Sequence, residues 1–495
     1  MIFILYMIKK ILLGILVVVL LGVLGLGVVV YRSYQSGALQ KAVVERVTER
    51  IAGDDTRSST PQTIDEQASL FKKLLGFDAP QTYLVLLLNN TELRPGGGFI
   101  GSYAVVRVEN GVPHIEKVEG TEILDYSGYP ENFSSVPPTA ITTYLKVPRW
   151  YFRDANWSPD FASSAVKALE LYRLQRGVAA DRITGVIGIT ATTVRDLLAL
   201  LGPVTVQGET FTAENVVEKL EYEVEIAFAE KGIERAKRKE ILADLVRAVA
   251  QKMVTDVLTR WQEYFALAQR FLTEKQVVLY RVDPSEQAIV AQKGWGGAIM
   301  PYAGGDYLMW VDANLGALKT DAVMKRELTY SIAPSGTAYR AVATMRYTHT
   351  GGRDWKTSQY LTYIRVYTPP GTRLVAMRGI EKNAAGIITT TPDRGTDFGR
   401  AWFGGFARIS PGSEARVSVE YMLAPGITES IKRGLYYGLF QKQIGTVEHT
   451  LTLNLDFGRK ILSPVVSGAR SVSVFTTSTA WTSDHYPEVR LESSN

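Results

Sequence analysis

The first feature of the chain is a run of twenty consecutive uncharged residues at positions 11–30. At about 1.5 Å per residue, a helix of this length spans the roughly 30 Å hydrocarbon core of a bilayer. Lys9 and Lys10 precede the run, which slightly favours a cytoplasmic N-terminus. The pattern predicts a single transmembrane helix at residues 9–31, a cytoplasmic segment at 1–8 and a cell-membrane location with the bulk of the chain extracytoplasmic. A cleaved signal peptide is the alternative, although its apolar core usually has about 7–15 residues.

Residues 32–77 show helix-like apolar spacing and predict a helical stalk. Beyond them, short apolar runs predict buried strands at residues 83–88 and 183–190, the first of them buried on both faces, and further strands are predicted at residues 101–109 and 112–118. Periods near 3.6 predict helices at residues 163–176, 192–201 and 214–272. The alternation of helices with buried strands indicates an α/β layered domain with a mixed sheet over residues 78–310.

From about residue 320 the pattern changes to a period of two, which is typical of strands with one buried face. The segments that alternate are residues 341–349, 359–368, 416–422, 449–457 and 470–476. They predict a C-terminal antiparallel β-sandwich over residues 311–495. We interpret the aromatic residues Trp355, Tyr360, Tyr363 and Tyr367 as packing residues of these strands rather than as a carbohydrate platform.

Composition narrows the possible chemistry. The 495 residues include no cysteine, which excludes thiol catalysis, disulfides and thiolate zinc sites. The four histidines are far apart in sequence and offer little for a metal centre or a Ser-His-Asp triad. Lys and Arg number 55 against 50 for Asp and Glu, and a net charge of +5 on so long a chain does not indicate a nucleic-acid partner.

The most unusual local sequence, at residues 89–98, follows a predicted buried strand and contains Glu92, Arg94 and three glycines, Gly96, Gly97 and Gly98. Ligands of open α/β sheets bind beyond the carboxyl ends of strands, and backbone amides of successive glycines can approach an anion closely. Arg94 could bind a phosphate or carboxylate bidentately. The alternative is a tight strand connection in which Arg94 pairs with Glu92 or a neighbouring carboxylate. The spacing fits neither the Walker loop nor the dinucleotide fingerprint.

A second cluster lies at residues 151–160, before a predicted helix. Asp160 or Ser158 would be an ordinary N-cap, whereas Asp154, next to Arg153, has no capping role and is a candidate for metal binding or acid–base catalysis. A buried ion pair is the alternative for Asp154. If the predicted strand directions hold, Asp125 lies at the same edge of the sheet as Asp154, and it is a second candidate metal ligand.

Four segments resemble a bacterial membrane-anchored family, the domain of unknown function four-zero-one-two. They read NNTELRPGGGFIGSY, RDANWSPDF, ITGVIGITATTVRDLLALLGPVTV and NLGALKTD, and the likeness extends in outline over residues 70–445. The family name implies no activity.

The α/β part is also distantly similar to the LytR-CpsA-Psr phosphotransferases, which transfer glycopolymers from a polyprenyl diphosphate carrier to the cell wall with a divalent metal. Glu92 and Arg94 fall where those enzymes carry Asp-x-Arg, and Arg235 and Arg238 fall near their pyrophosphate-binding arginines. The resemblance implies phosphate-binding arginines. On the residues alone, a solvated helix face is the favoured interpretation of the basic run around Arg235.

Two hypotheses follow. The first is a membrane-anchored cell-envelope protein whose α/β domain binds an anionic ligand, phosphate-bearing or glycan, without catalysis. The alternative is a Mg²⁺-dependent phosphotransferase in which Arg94 and Asp154 are catalytic and Asp125 and Asp154 hold the metal. Glu92, Arg153 and the glycine amides would then assist Arg235 and Arg238 in binding the ligand. In both, the expected partners are the membrane and a lipid-linked glycan or cell-wall polymer.

Overall fold

The computed structural model describes residues 70, 72–127, 135–227, 230–232, 240–316, 318–384, 387–389, 391–464 and 473–492. The predicted cytoplasmic segment, the predicted transmembrane helix and most of the predicted stalk lie outside these residues. Among the described residues, no helix is both long and apolar enough to cross a membrane. The longest one has 34 residues but carries charged residues along its whole length. The predicted fold class is therefore corrected: the structure does not support a transmembrane helix, a single-pass anchor or a cell-membrane location.

The first domain is built on a mixed five-stranded sheet in the order β3-β2-β1-β4-β7. Its strands are β1 (Gln81–Asn89), β2 (Phe99–Glu109), β3 (Val112–Gly120), β4 (Gly185–Thr190) and β7 (Val277–Arg281), and a separate hairpin pairs β5 (Val204–Val206) with β6 (Glu209–Phe211). The central strand β1 pairs antiparallel with β2 and parallel with β4. This sheet confirms the predicted mixed α/β architecture, and β1 is buried on both faces because helices cover both sides of the sheet.

Helices surround this sheet. They are α1 (Thr121–Ser127), α2 (Thr139–Leu145), α3 (Phe161–Leu174), α4 (Thr192–Leu201), α5 (Val216–Tyr222), α6 (Glu240–Thr273) and α7 (Pro284–Gln292), with a 3-10 helix at Phe152–Trp157. Asp160 caps α3 by accepting a hydrogen bond from the Ser163 amide at 2.8 Å, as the sequence predicted. Phe161, Ala165 and Ala168 of α3 recur at helical spacing and are buried in the core on one side of the sheet.

The second domain is a sandwich of two sheets. It comprises β8 (Asp306–Asn314), β9 (Met324–Ser335), β10 (Ala338–His349), β11 (Tyr360–Thr368), β12 (Arg373–Arg378), β13 (Lys382–Ala384), β14 (Ile387–Thr389), β15 (Asp393–Asp397), β16 (Arg400–Ile409), β17 (Glu414–Met422), α8 (Pro425–Lys432), β18 (Leu435–Phe440), β19 (Thr450–Asp456), β20 (Ile461–Ser463), β21 (Val474–Ala480) and β22 (Glu488–Leu491). One sheet has the order β12-β17-β10-β9-β19-β21 and the other β15-β16-β11-β8-β18-β22-β20. The predicted antiparallel pairing holds except for one parallel pair in each sheet, β9 with β19 and β8 with β18.

The strand β8 shows how the two domains meet. Its residues are buried on both faces, whereas β9 alternates between buried and partly exposed positions. One face of β8 packs into the sandwich core through Leu308 and Trp310. The backbone amide of Asn314, at the end of β8, donates to the carbonyl of Leu93 in the first domain. The predicted boundary between residues 310 and 311 falls inside this strand.

Candidate functional site

Arg94 lies in the loop between β1 and β2 and is only 3% exposed. Its Nη2 donates to Glu92 Oε1 at 3.0 Å, and its Nε lies 3.5 Å from Asp154 Oδ1. Its Nη1 donates to the backbone carbonyl of Asn314, and the guanidinium lies 5.3 Å from the centroid of the Phe99 ring. This is the arrangement of the alternative interpretation, in which Arg94 pairs with internal carboxylates instead of facing a water-filled hollow.

The structure brings five of the predicted site residues into one row of alternating charge, buried except for the partly exposed Arg153, which we call the charge chain: Glu92, Arg94, Asp154, Arg153 and Asp125. Arg153 continues the row because its Nε lies 2.9 Å from Asp125 Oδ2. Three carboxylates thus share two guanidinium groups. Burial raises the pKa of Glu92, Asp154 and Asp125, and the neighbouring arginines oppose that rise.

The predicted metal site is not formed by this arrangement. Asp125 accepts hydrogen bonds from the amide of Phe152 at 2.8 Å and from Arg153, and its side chain is fully buried. Asp154 faces Arg94. Among the residues that the structure describes, no three Asp, Glu or His side chains form a group that could hold a metal ion. The residues present do not fit Mg²⁺, because each of these two carboxylates already faces an arginine.

The glycine amides are also used within the protein. The amide of Gly96 donates to the carbonyl of Asn156 at 2.9 Å, and that of Gly97 donates to the carbonyl of Arg94 at 2.9 Å. The carbonyl of Gly98 accepts a hydrogen bond from Asn156 Nδ2 at 2.6 Å. Of the three amides that were predicted to cradle an anion, that of Gly96 therefore holds the loop against the 3-10 helix and that of Gly97 closes a turn within the loop.

The same loop contacts a segment of the sandwich, and we call the contact between residues 90–98 and 441–446 the interdomain joint. A Cβ on Gly97 would lie 2.8 Å from Ile444 Cγ2, and a Cβ on Gly445 would lie 2.0 Å from the carbonyl oxygen of Gly97. Gln443 Nε2 donates to the carbonyl of Arg94 at 3.1 Å. The glycines are required because two backbones approach each other closely.

The interdomain joint also contains a buried lysine. Lys442 is 1% exposed, and its Nζ donates to the carbonyl of Glu274 at 2.8 Å. Lys275 lies beside it and pairs with Asp484 Oδ1 at 2.6 Å. Burial, aided by the charge of Lys275 and opposed by Asp484 and Glu274, lowers the pKa of Lys442 to about 7.

Arg235 and Arg238, the remaining predicted ligand-binding residues, lie outside the described residues. Their distance from Arg94 therefore stays a prediction, as does the phosphotransferase hypothesis that requires them.

A different site lies where α3, the 3-10 helix and the seven-stranded sheet meet. It is a cavity of about 490 Å³, lined by residues of both domains. We call it the aromatic cleft after the rings in its lining, which are Trp150, Trp157, Tyr363, Phe398 and Trp402. Trp157 and Tyr363 are stacked with ring centroids 6.0 Å apart.

Three charged residues line the aromatic cleft: Lys167, Arg365 and Asp397. Lys167 Nζ lies 4.7 Å from the centroid of the Trp150 ring and 2.6 Å from Glu170 Oε2. Arg365 donates from Nη2 to the Trp157 carbonyl at 2.7 Å, and its guanidinium lies 5.0 Å from the centroid of that ring. The cleft thus combines flat apolar surfaces with a few fixed hydrogen-bonding groups.

Sequence reasoning missed these residues. Trp150 and Trp157 lie on either side of Asp154 in sequence, but the prediction for this segment concerned Asp154 alone. Tyr363 was interpreted as a packing residue of its strand. The available signal was the density of aromatic residues at 150–157, where four of eight positions are Trp, Tyr or Phe. Their partners follow some 200 residues later in sequence, on β11 and β16.

Comparison with known proteins gives a family match over part of the chain and indicates no activity. A search of curated proteins found no match. Among solved structures, a putative nutrient binding protein from Legionella pneumophila is similar at 8% identity, covering 38% of this chain and 71% of its own, with a TM-score of 0.25. An M1 zinc metallopeptidase from Deinococcus radiodurans is similar at 12% identity, covering 32% of this chain and 37% of its own, with a TM-score of 0.16. Scores this low support no argument about fold or function.

The family comparison matches residues 78–224, which contain β1, the Arg94 loop, the charge chain and one wall of the aromatic cleft. The further resemblance to the LytR-CpsA-Psr phosphotransferases is not shown by these comparisons. Residues 78–224 of the chain match the model of the family described as Protein of unknown function (DUF4012).

Proposed function

We propose that this protein is a non-catalytic glycan-binding protein and that its binding site is the aromatic cleft. The observation that carries the proposal is the lining, in which five aromatic rings and three charged side chains surround about 490 Å³. Small-molecule sites typically have about 300–1,000 Å³, a mostly apolar and aromatic lining, a few fixed polar groups and a position between domains. The aromatic cleft has all four properties.

The chemistry of the lining fits a sugar chain. A pyranose ring has a flat face of C–H groups that packs on an aromatic ring, and a rim of hydroxyls that needs donors and acceptors. Trp157 and Tyr363 supply apolar faces, as Trp and Tyr commonly do at binding surfaces. Arg365 and Lys167 supply donors for hydroxyl oxygens, and Asp397 supplies an acceptor for hydroxyl protons.

Single-stranded nucleic acids also stack on aromatic side chains, but their sites follow the phosphate backbone with a positively charged groove. Here two cations and one carboxylate line the cleft, and the whole chain carries only +5. The charge therefore favours a glycan over a nucleic acid.

Binding without bond cleavage follows from the position of the carboxylates. Glycosidases generally use two carboxyl groups about 5–9.5 Å apart across the scissile bond. Of the described residues that line the cleft, only Asp397 carries a carboxylate. Arg94 and Asp154, the predicted catalytic pair, do not line the cleft and are paired with each other.

The proposal is tested by titrating the full chain with three hexasaccharides in a calorimeter: maltohexaose, hexagalacturonate and a phosphodiester-linked hexasaccharide. Trp157→Ala removes a stacking surface, and we expect it to weaken binding about tenfold or more. Trp157→Phe should retain most of the affinity. The matched control is Trp355→Ala, because Trp355 is 40% exposed and does not line the cleft.

Two results would remove the proposal. One is a wild-type protein that binds none of the three hexasaccharides. The other is a folded Trp157→Ala variant that binds as tightly as the wild type.

A further inference from the structure

We infer that the bound glycan is acidic and that Arg365 is the residue that selects its carboxylate or phosphate group. The inference rests on the proposed function, because it concerns the same cleft. It adds the chemical class of the ligand and the residue that distinguishes an acidic sugar from a neutral one.

Arg365 lies on β11 at the wall of the cleft and is 6% exposed. Its Nη2 donates to the carbonyl of Trp157 and its Nη1 to the hydroxyl of Tyr367 at 3.1 Å. Both acceptors are uncharged, and Arg365 forms no ion pair with a described residue. A guanidinium has five N–H donors, so these two bonds leave further donors on the same planar group.

Other buried arginines of the described part differ from Arg365 in this respect. The guanidinium groups of Arg94, Arg281 and Arg326 form ion pairs at 3.0, 2.6 and 2.8 Å respectively. Arg400 is also buried without a carboxylate partner, but it stacks on an aromatic ring 3.6 Å away and does not line the cleft. Arg365 is therefore a buried cation that borders a cavity and forms no ion pair with a described residue.

This placement favours an anionic ligand group. A charge removed from water is unfavourable unless an opposite charge compensates for it. An arginine in a partly desolvated site binds a carboxylate or phosphate through two parallel, charge-assisted hydrogen bonds, which a neutral hydroxyl cannot match.

The other charges of the cleft agree with this assignment. Lys167 adds a second cation on the opposite wall, although Glu170 already pairs with it, so its contribution is smaller. Asp397 is the one carboxylate among the described residues of the lining; it interacts electrostatically with Tyr367, the acceptor of Arg365 Nη1, and it can accept hydrogen bonds from sugar hydroxyls. Two cations and one acid leave the lining with a net positive charge.

The test compares the acidic hexasaccharides with neutral maltohexaose. We expect the wild type to bind at least one acidic hexasaccharide about tenfold or more tightly than maltohexaose, with an affinity that falls as salt rises from 50 to 300 mM. Arg365→Gln should lower the acidic affinity about tenfold to hundredfold and the maltohexaose affinity by a much smaller factor, because the Gln amide can still donate to a sugar hydroxyl but cannot pair with an anion. The galacturonate and phosphodiester arms show whether the selected group is a carboxylate or a phosphate.

Controls separate recognition from folding. Arg340→Gln removes an exposed arginine of the sandwich that pairs with Glu420, and it should change neither affinity. Lys167→Gln, on the surface of α3, should weaken acidic binding by about twofold to threefold. The wild-type preference and its salt dependence need no variant, so they decide whether the bound glycan is acidic even if Arg365→Gln does not fold.

The outcomes also separate this inference from the proposed function. If the wild type binds maltohexaose as tightly as both acidic hexasaccharides, and Trp157→Ala abolishes that binding, the inference fails and the proposed function stands. Equal losses of neutral and acidic affinity in Arg365→Gln would also overturn the inference. If no hexasaccharide binds, both fail together.

Discussion

The buried lysine of the interdomain joint should make the stability of the protein depend on pH in a defined direction. Lys442 has a pKa of about 7 in the folded protein, whereas an ordinary lysine has 10.5. Between these values the unfolded chain holds a proton that the folded protein does not. The free energy of unfolding therefore rises with pH across this window, by up to about 1.4 kcal/mol per pH unit for one group.

The size of the effect follows from the width of the window. From pH 7 to pH 9 the expected gain is about 2–3 kcal/mol, and below about pH 7 the folded and unfolded chains both carry the proton, so this contribution becomes constant. The charged groups facing Lys442 are Lys275, Asp484 and Glu274. The positive charge of Lys275 opposes protonation of Lys442. Protonating Lys442 in the folded protein, which happens at low pH, is therefore unfavourable.

Lys442→Met removes the titrating amine and keeps a side chain of similar length. The assay is urea unfolding followed by tryptophan fluorescence at pH 6.5, 7.5, 8.5 and 9.5 and constant ionic strength. We expect the stability of the variant relative to the wild type to fall by about 2–3 kcal/mol between pH 7 and pH 9, because only the wild type gains stability there.

The control is Lys432→Met, which changes an exposed lysine of α8 that pairs with Glu429. Its stability should run parallel to that of the wild type at all four pH values. Parallel curves for Lys442→Met and the wild type between pH 7 and pH 9.5 would refute the reasoning, since the amine would then titrate as it does in the unfolded chain.

Two further predictions concern residues 90–98 of the interdomain joint. Gly97→Ala places a Cβ 2.8 Å from a sandwich side chain at a φ of +116°, and it should lower the free energy of unfolding by about 2–4 kcal/mol. Gly412→Ala, at a φ of +68° with open space around it, should cost only about 1 kcal/mol, and equal losses in urea unfolding would contradict the close contact. Arg94→Met leaves the Asp154 carboxylate without its cation and should cost about 3–5 kcal/mol at pH 8. The loss should be smaller at pH 5, where that carboxyl, whose pKa burial raises, more readily takes up a proton. Arg340→Met, at an exposed ion pair, should cost less than about 1 kcal/mol at either pH.

Much of the fold could be predicted because the sequence patterns that indicate its helices and strands are local. The apolar run at residues 83–88 became the doubly covered central strand β1, and the period-two pattern from about residue 320 became the sandwich. The parallel pairs β8 with β18 and β9 with β19 could not be predicted, because pairing between strands more than a hundred residues apart leaves no local pattern.

The role of the Arg94 loop could not be predicted for a related reason. Bare amides, positive-φ glycines and a guanidinium suit an anion site, and the same three features suit a close approach between two backbones. The two outcomes differ in whether the groups beside the glycines and the guanidinium belong to the protein or to a ligand. Here Ile444 and Gly445, some 350 residues further along the chain, occupy the space beside the glycines.

The charge chain and the aromatic cleft are nevertheless physically connected. Asp154 faces Arg94 through its carboxylate, and its backbone carbonyl accepts a hydrogen bond from Trp150 Nε1 at 2.9 Å. Three residues later in the same 3-10 helix, the carbonyl of Trp157 accepts from Arg365. Arg94, through Asp154, therefore helps to fix the segment that presents Trp150 and Trp157 to the cleft, while the sandwich forms the opposite wall. Under the proposed function, we therefore expect Arg94 and Asp154 to act as positioning residues that affect ligand binding through Trp150 and Trp157.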